Sequence, residues 1–249
     1  MKTPVLWLSL CLLGALVPPV SAGQAPAASS KPPAATHPRT TSMTTDPALL
    51  HPATLKEKAP EEFDVTFTTT KGDFVVHVTR SWAPLGVDRF YNLVKHHFFT
   101  DAPFFRIVPG FVVQFGLTGD PAVNKAWRDA DIKDDRVTQS NTPGTITFAT
   151  AGPNTRTTQI FINLGSNGPL DRQGFAPFGK VTSGMEVVQS LYAGYGEAPD
   201  QNSITTQGSA YFTKNFPKLD LIKSTKITTS AAPVGAATHP AGSGGTSAK

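Results

Sequence analysis

The sequence predicts a mainly β fold, a closed antiparallel β-barrel capped by two α-helices. Phe63, Val65 and Phe67 alternate with polar residues, which is typical of a half-buried strand. A turn at 71–73 leads into a second apolar run, so the first two strands form a hairpin. Many short strands combined with few helices indicate a barrel. The remaining strands are predicted over 74–78, 104–108, 111–116, 144–149, 159–163 and 177–181, with a closing strand over 219–223.

The two helices are predicted from proline placement and apolar spacing. Pro84 suits the first turn of a helix, and Val87, Phe90 and Leu93 follow it at helical spacing. One face of this helix therefore packs on the core. A second helix is predicted over 184–192, where one side carries Met185, Val188 and Tyr192.

Residues 117–143 are predicted to form a long polar loop. It contains four aspartates that raise a calcium site as an alternative: Asp129, Asp131, Asp134 and Asp135. Calcium-binding loops carry a glycine and a terminal glutamate at fixed positions, and this spacing lacks both. A solvated loop is therefore favoured. The histidines also lack metal-ligand spacing, so no metal site is predicted.

The first residues have the features of a secretory signal peptide, predicted over 1–22. Lys2 is followed by an uncharged apolar run over 5–17 and by the small-residue cleavage site Val20-Ser21-Ala22. An uncleaved membrane anchor is the alternative, although the run is short for a bilayer. The sequence thus predicts an exported protein, and such a signal serves a periplasm or secretion equally.

Two segments rich in Ala, Pro, Ser and Thr flank the predicted folded domain over 61–228. Residues 23–60 and 229–249 have little apolar periodicity, so they are predicted to be disordered. Cys11 is the single cysteine of the 249 residues and lies in the predicted signal. The mature chain would therefore have no disulfide, thiol nucleophile or Cys-ligated zinc.

The charge balance argues against a nucleic-acid partner. The formal net charge is +4, charged residues make up 16% of the chain, and Lys and Arg form no basic run. Nucleic-acid binding needs many phosphate contacts. A soluble protein of slightly basic balance is therefore favoured.

The run from Phe104 to Gln114 contains the first candidate functional residue. Arg106 stands among apolar residues that favour a strand, where a charge without partners is costly. Gln114 follows eight positions later, an even separation that puts both side chains on one face of a regular strand. Pro109-Gly110 interrupts the run, so the spacing alone does not establish a shared face.

Three ordered runs resemble the cyclophilins, a family of peptidyl-prolyl cis/trans isomerases. They are Phe104 to Gln114, Ala149 to Phe161, and Leu170-Asp171 with Phe178-Gly179-Lys180-Val181. The resemblance covers roughly 62–228. It implies a closed eight-stranded antiparallel β-barrel with a helix at each end, and it implies catalysis at bonds that precede proline, without a cofactor.

The implied chemistry requires one well-placed donor. Rotation about a peptide bond has a barrier of ~18–20 kcal/mol, and before proline the isomers exchange over roughly tens to hundreds of seconds. In the twisted amide the prolyl nitrogen regains a lone pair and accepts a hydrogen bond. Arginine is a suitable donor because its guanidinium is rigid and stays protonated.

The resemblance also implies roles for single residues. Arg106 takes the position of the catalytic arginine, and Gln114 bonds the substrate carbonyl and steadies that arginine. The proline pocket would be formed by Phe111, Val112, Phe161 and Leu170. The peptide groove would be lined by Ala149, Thr150, Ala151 and Gln159.

This sequence departs from the family pattern at the rim of the pocket. Pro169 stands where tryptophan is frequent, and the following segment is one residue longer, so Phe175 lies nearest to the place of a frequent histidine. Phe175 is therefore a candidate aromatic wall. The same departures put binding of cyclosporin-like cyclic peptides in doubt.

Two functions follow from the resemblance. The first is an isomerase, expected to be monomeric, that assists the folding of exported, proline-containing polypeptides. The second is a module of the same fold that binds such segments as a chaperone or scaffold without useful turnover. A hydrolase finds no support, because the motifs for serine and zinc hydrolases are missing.

Overall fold

The computed structural model describes residues 45–228. The predicted signal peptide, the first part of the predicted linker and the predicted tail over 229–249 lie outside the described residues. None of the helices within the described part has the length and apolar character that crossing a bilayer requires.

Residues 45–60 are ordered, in contrast to the predicted linker that extends to residue 60. Asp46 accepts the N–H of Ala48 at 2.9 Å and begins a 3₁₀ helix over Pro47–Leu50, and a second one spans Pro52–Thr54. Leu49 is buried in the main core, and its carbonyl accepts the indole N–H of Trp127 at 2.8 Å. A segment of low apolar content is thus held by a few anchors that composition does not reveal.

Eight antiparallel strands form one sheet, in the order β3-β4-β6-β5-β7-β2-β1-β8. The predicted hairpin is confirmed as the β1–β2 pair, in which Phe63 lies opposite Val78. The strands are β1 Glu62–Thr69, β2 Asp73–Thr79, β3 Arg106–Val108, β4 Val112–Phe115, β5 Thr145–Phe148, β6 Ile160–Asn163, β7 Pro177–Ser183 and β8 Ile222–Thr228.

The sheet is open, so the predicted closure of the barrel is wrong. β3 and β8 are its edges, and within the described residues no ladder pairs them. The chain before β3 instead bonds to the start of β8: Asp101 N–H donates to Ile222 O at 2.8 Å, and Phe104 N–H to Asp220 O at 3.0 Å. Pro103 lies between these bonds and has no N–H for a continuous ladder.

Residues 45–228 contain five α-helices rather than the predicted two. α1 packs on β7 and β8, and α3, which is shorter than predicted, packs on β2. The three additional helices each span seven residues, too short for apolar periodicity to mark them. The helices are α1 Pro84–Lys95, α2 Pro121–Trp127, α3 Met185–Gln189, α4 Gln201–Gln207 and α5 Ser209–Asn215.

The predicted solvated loop over 117–143 is wrong in two respects. It contains α2, whose N-cap Asp120 accepts the N–H of Ala122 at 2.8 Å, and the side chain of its Asp135 is buried. Asp135 accepts the first amides of α1 and pairs with Arg156 at 3.0 Å, with side chains 4% and 3% exposed. Among residues 45–228 no cluster of three or more His, Cys, Asp or Glu side chains is placed to hold a metal.

Strands β3 to β6 present two different faces. One face belongs to the main core and includes Ile107, Val113, Phe115, Ile146, Phe148, Ile160 and Ile162. The other face carries a row of directly paired residues, because partners in antiparallel strands point to the same side. Arg106 pairs with Gln114, Gln114 with Phe161, and Phe161 with Thr147.

Candidate active site

Arg106 and Gln114 meet across the β3–β4 hairpin. The turn between them closes through Phe111 N–H donating to Val108 O at 2.9 Å, with Gly110 at a positive φ of 73°. Nη1 of Arg106 lies 3.3 Å from Oε1 of Gln114. The two side chains do share a face, which the spacing alone left open, and a hairpin rather than one continuous strand creates it.

A chain of side-chain contacts fixes this arginine. The amide nitrogen Nε2 of Gln114 donates to Oε1 of Gln159 at 2.8 Å, and both glutamines are buried. The guanidinium carbon of Arg106 lies 5.7 Å from the ring centroid of Phe111, within range of a cation–π interaction. The arginine is thus held from two sides while its side chain keeps 25% exposure.

Glu197 is a partner of Arg106 that the sequence reasoning missed. Its Oε1 lies 2.6 Å from both Nε and Nη2 of the guanidinium. Glu197 follows β3 by about ninety residues, on a loop before α4. No local spacing or motif indicates such a contact.

Val112 and Phe161 are buried apolar residues that belong to neither core cluster of the described residues. Val112 is 2% exposed and Phe161 5% exposed. The ring of Phe175 packs edge-on against Phe161, with 5.8 Å between the centroids. The structure therefore brings Phe161 and Phe175 together beside the row that holds Arg106. Phe111 and Phe175 are themselves half-buried.

A buried asparagine network, which the sequence reasoning also missed, supports the turns that carry Phe111 and Phe175. Asn167 donates from Nδ2 to Phe111 O at 2.9 Å and to Asn163 Oδ1 at 2.7 Å. Asn141 donates from Nδ2 to Phe175 O at 2.9 Å. Asn163 Nδ2 also donates to Asn141 Oδ1 at 3.1 Å, so the backbone carbonyls of Phe111 and Phe175 are both tied to one polar network.

Leu170 lies near Phe175. It is half-buried in a 3₁₀ helix over Gly168–Gln173, and its carbonyl accepts the N–H of Phe175 at 3.2 Å. Asp171 of the same turn accepts bonds from Ser140 and Asn141. Burial opposes ionisation of Asp171, but these hydrogen bonds hold its pKa below the usual value.

The predicted groove residues divide into two groups. Ala149 N–H donates to Gln159 O at 2.9 Å, so these two residues lie side by side next to Gln114. Thr150 is turned into its own loop, where its hydroxyl contacts Thr155 Oγ1 at 2.9 Å. Ala151 is exposed, and its N–H also bonds Thr155 Oγ1. The hydroxyl of Thr150 is thus engaged within the loop, and the backbone of Thr150 remains for a ligand.

Two hollows within residues 45–228 lie apart from the row that contains Arg106, Gln114 and Phe161. One, of about 660 Å³, lies between α1 and residues 52–57, and the other, of about 690 Å³, lies beside α2 and α5. Arg106, Phe111 and Phe161 line neither of them. The half-buried Arg89 contributes to the first hollow, and partial burial and the nearby Arg156 lower its pKa to about 10.

Arg106 lies beside the ring of Phe111 and on the same row as Phe161, on the face of the sheet opposite the main core. The family model described as cyclophilin type peptidyl-prolyl cis-trans isomerase/CLD matches residues 64–208. The chain belongs to this family of isomerases, which confirms the resemblance seen in the three sequence runs.

Known relatives agree with this assignment. Peptidyl-prolyl cis-trans isomerase-like 1 of Emericella nidulans is 34% identical over 137 residues, which are 51% of this chain and 80% of the relative. Peptidyl-prolyl cis-trans isomerase cyp15 of Rhizopus delemar is 35% identical over 127 residues, which are 49% of this chain but 20% of the relative.

The fold is similar to that of a solved cyclophilin type peptidyl-prolyl cis-trans isomerase of Cryptosporidium parvum. The TM-score is 0.51 at 20% identity, with 68% of this chain and 99% of that chain covered. The same protein has been solved in the presence of the dipeptide Ala-Pro, and that structure gives a TM-score of 0.50.

Proposed function

We propose that this chain accelerates cis/trans rotation about Xaa-Pro bonds, with Arg106 as the catalytic residue. The observation that carries the proposal is the position of Arg106, which Gln114 holds beside Phe111 on the same row as Phe161. A cation is thereby presented next to the aromatic side chains of Phe111 and Phe161. This is the arrangement that a twisted prolyl amide requires.

The chemistry follows from the properties of the amide. As the bond twists, the prolyl nitrogen loses conjugation and becomes an acceptor, and a guanidinium N–H donates to it. One charged hydrogen bond is worth ~1.5–3 kcal/mol, which corresponds to roughly a ten- to hundredfold increase in rate. Further acceleration comes from holding the ring while the acyl side rotates.

The substrates are proposed to be proline-containing polypeptides. Phe111, Val112, Phe161 and Phe175 offer an apolar setting for the proline ring, and Leu170 adds to the rim. Ala149, with the backbone of the neighbouring loop and Gln159, would line the groove for the extended chain. The related structure obtained in the presence of Ala-Pro supports this substrate class.

A role in the folding of exported proteins is a further part of the proposal. It rests on the composition of residues 1–22, which lie outside the described residues. N-terminal sequencing of the protein recovered from the producing cells tests it, with Gly23 expected as the first residue. A chain that retains its first residues would contradict cleavage.

A protease-coupled assay with an Ala-Pro-Phe peptide tests the isomerase proposal. The purified wild type is expected to accelerate isomerisation, and Arg106→Ala to lower kcat/KM by roughly ten- to a hundredfold, while peptide binding is partly kept. The matched control is Arg128→Ala, because Arg128 is exposed. Arg80 is unsuitable for this purpose because it pairs with Asp88. A wild type that binds proline peptides without turnover would favour a binding module.

A further inference from the structure

The loop before α4 carries a carboxylate into direct contact with the proposed catalytic arginine. Glu197 Oε1 lies 2.6 Å from Nε and 2.6 Å from Nη2 of Arg106. These two nitrogens lie on one edge of the planar guanidinium, so a single oxygen engages that edge as a whole. Gln114 engages Nη1 from the other side.

The contact leaves the tip of the guanidinium available. Arginine has five N–H donors. Glu197 contacts Nε and Nη2 of Arg106, and Gln114 contacts Nη1, so each of the three nitrogens has one contact. Among residues 45–228 no further hydrogen bond engages this guanidinium, so N–H donors remain for a ligand.

The loop that bears Glu197 is anchored, although the side chain is 62% exposed. Gly196 O accepts the N–H of Ile107 at 3.1 Å, which ties the loop to β3 one residue after Arg106. Gly196 has φ 53° and ψ −111°, a conformation that glycine adopts readily and other residues rarely. This glycine turn directs the next residue toward the arginine.

An aromatic cluster fixes the other side of the same loop. Tyr195 packs edge-on against Tyr192 and Phe216, with 5.0 Å between centroids in both pairs. Two backbone bonds close the turn, from Gly196 N–H to Ala193 O at 3.0 Å and from Ala198 N–H to Tyr195 O at 2.9 Å. The backbone of Glu197 is therefore positioned by packing on both sides.

We propose that Glu197 is a positioning residue for isomerisation, which holds the guanidinium of Arg106 so that its tip faces the bound prolyl amide. The inference rests on the proposed function. Without this carboxylate, only Gln114, at the longer distance of 3.3 Å, and the ring of Phe111 would restrain the arginine. The side chain would then sample other rotamers, and fewer bound complexes would have the donor in place.

The test compares Glu197→Gln with the wild type and with Glu186→Gln, an exposed glutamate on α3 that serves as a matched control. We expect Glu197→Gln to lower kcat/KM by about fivefold, since exposed ion pairs are worth up to ~1 kcal/mol. The loss should fall on kcat, with KM within about twofold of wild type, and the thermal midpoint should not change. An unchanged or increased kcat/KM, or a loss matched by a lower thermal midpoint, would overturn the proposal.

A spectroscopic signature reports on the arginine itself. In ¹H–¹⁵N spectra the Nε–H signal of Arg106, assigned by its loss in Arg106→Ala, should be sharp in wild type and in Glu186→Gln. It should broaden or move in Glu197→Gln, and an unchanged signal would contradict the proposal. If Arg106→Ala lowers activity while Glu197→Gln does not, the proposed function survives and the role of Glu197 fails. If the wild type is inactive, both fail.

Discussion

Arg106 and Gln114 face each other in paired positions of β3 and β4, with 3.3 Å between Nη1 of the arginine and Oε1 of the glutamine. Gln114 in turn donates to Gln159 at 2.8 Å. The orientation of Arg106, on the edge strand β3, thus depends on two buried glutamines, Gln114 and Gln159, which are hydrogen-bonded to each other. This relationship leads to the first of four predictions.

Gln114→Ala should lower kcat/KM by about tenfold. The substitution removes the acceptor on Nη1 of Arg106 and leaves the buried Gln159 without its donor, and hydrogen bonds to charged groups are worth roughly 1.5–3 kcal/mol. The protease-coupled assay measures the change. Gln189→Ala, at an exposed position of α3, is the matched control and should retain wild-type activity. Equal activities of the two variants would rule out a role of Gln114 in the site.

Phe175→Ala should weaken binding of the proline ring more than it slows turnover. Phe175 packs edge-on against Phe161, and such pairs are worth about 0.5–1.5 kcal/mol beyond their buried area. We expect KM for a proline peptide to rise about three- to tenfold, with a smaller change in kcat. Phe175→Leu, which keeps part of the apolar wall, should give an intermediate KM.

The Phe175 prediction fails if KM is the same in the wild type and both variants. In that case Phe161 and its other neighbours would be enough to hold the ring. The same three proteins can be titrated with cyclosporin, for which we expect weak binding because Pro169 and Phe175 depart from the family pattern.

Asp135→Asn should destabilise the fold without altering the chemistry of the site. Asp135 pairs with the buried Arg156 and accepts the amides of Leu85 and Gly86 at the start of α1. Breaking a buried pair by removing one charge typically costs about 3–5 kcal/mol in the free energy of unfolding. Urea denaturation measures the cost, and Asp129→Asn, at an exposed position, should change it by less than about 0.5 kcal/mol.

If Asp135→Asn unfolds at the same urea concentration as the wild type, the buried pair does not stabilise the fold. A similar loss in both variants would point to the whole aspartate-rich segment rather than to this contact. The kcat of folded Asp135→Asn should stay near that of the wild type.

Stability should decline below about pH 4. The pKa of Asp46 is lowered by a hydrogen bond from His96 and by the Ala48 amide. Burial opposes ionisation of Asp88, but bonds from Arg80 and the Ala59 amide lower its pKa. The unfolded value is about 3.9. A carboxyl with a lowered folded pKa stabilises the protein above the unfolded pKa, and this stabilisation is lost as the pH falls through the folded pKa.

Urea midpoints between pH 2 and pH 7 test this dependence. Asp88→Asn should reduce the decline at low pH, and the lowered pKa of Asp171 adds a similar contribution. Burial raises the pKa of Asp101, so its contribution has the opposite sign and partly offsets the others. A midpoint that stays constant down to pH 3 would contradict the prediction.

The sequence by itself determined the strand pattern, the first helix and the family. Phe63, Val65 and Phe67 alternate because one face of β1 is buried, and the three ordered runs carry enough specific residues to identify the family. The even spacing of Arg106 and Gln114 indicated a shared face only for a regular strand; Pro109-Gly110 left this open, and the hairpin in the structure decided it. Local periodicity and turn chemistry are properties of short segments, so they can be read without the fold.

Only the tertiary structure decided which residues from distant segments contact one another. The contact of Glu197 with Arg106, the buried pair of Asp135 with Arg156, and the order of residues 45–60 each join parts of the chain that composition treats separately. The short, interrupted pairing around Pro103 likewise depends on where β8 begins. Such contacts depend on three-dimensional packing, so the residues next to a side chain in the sequence do not predict them.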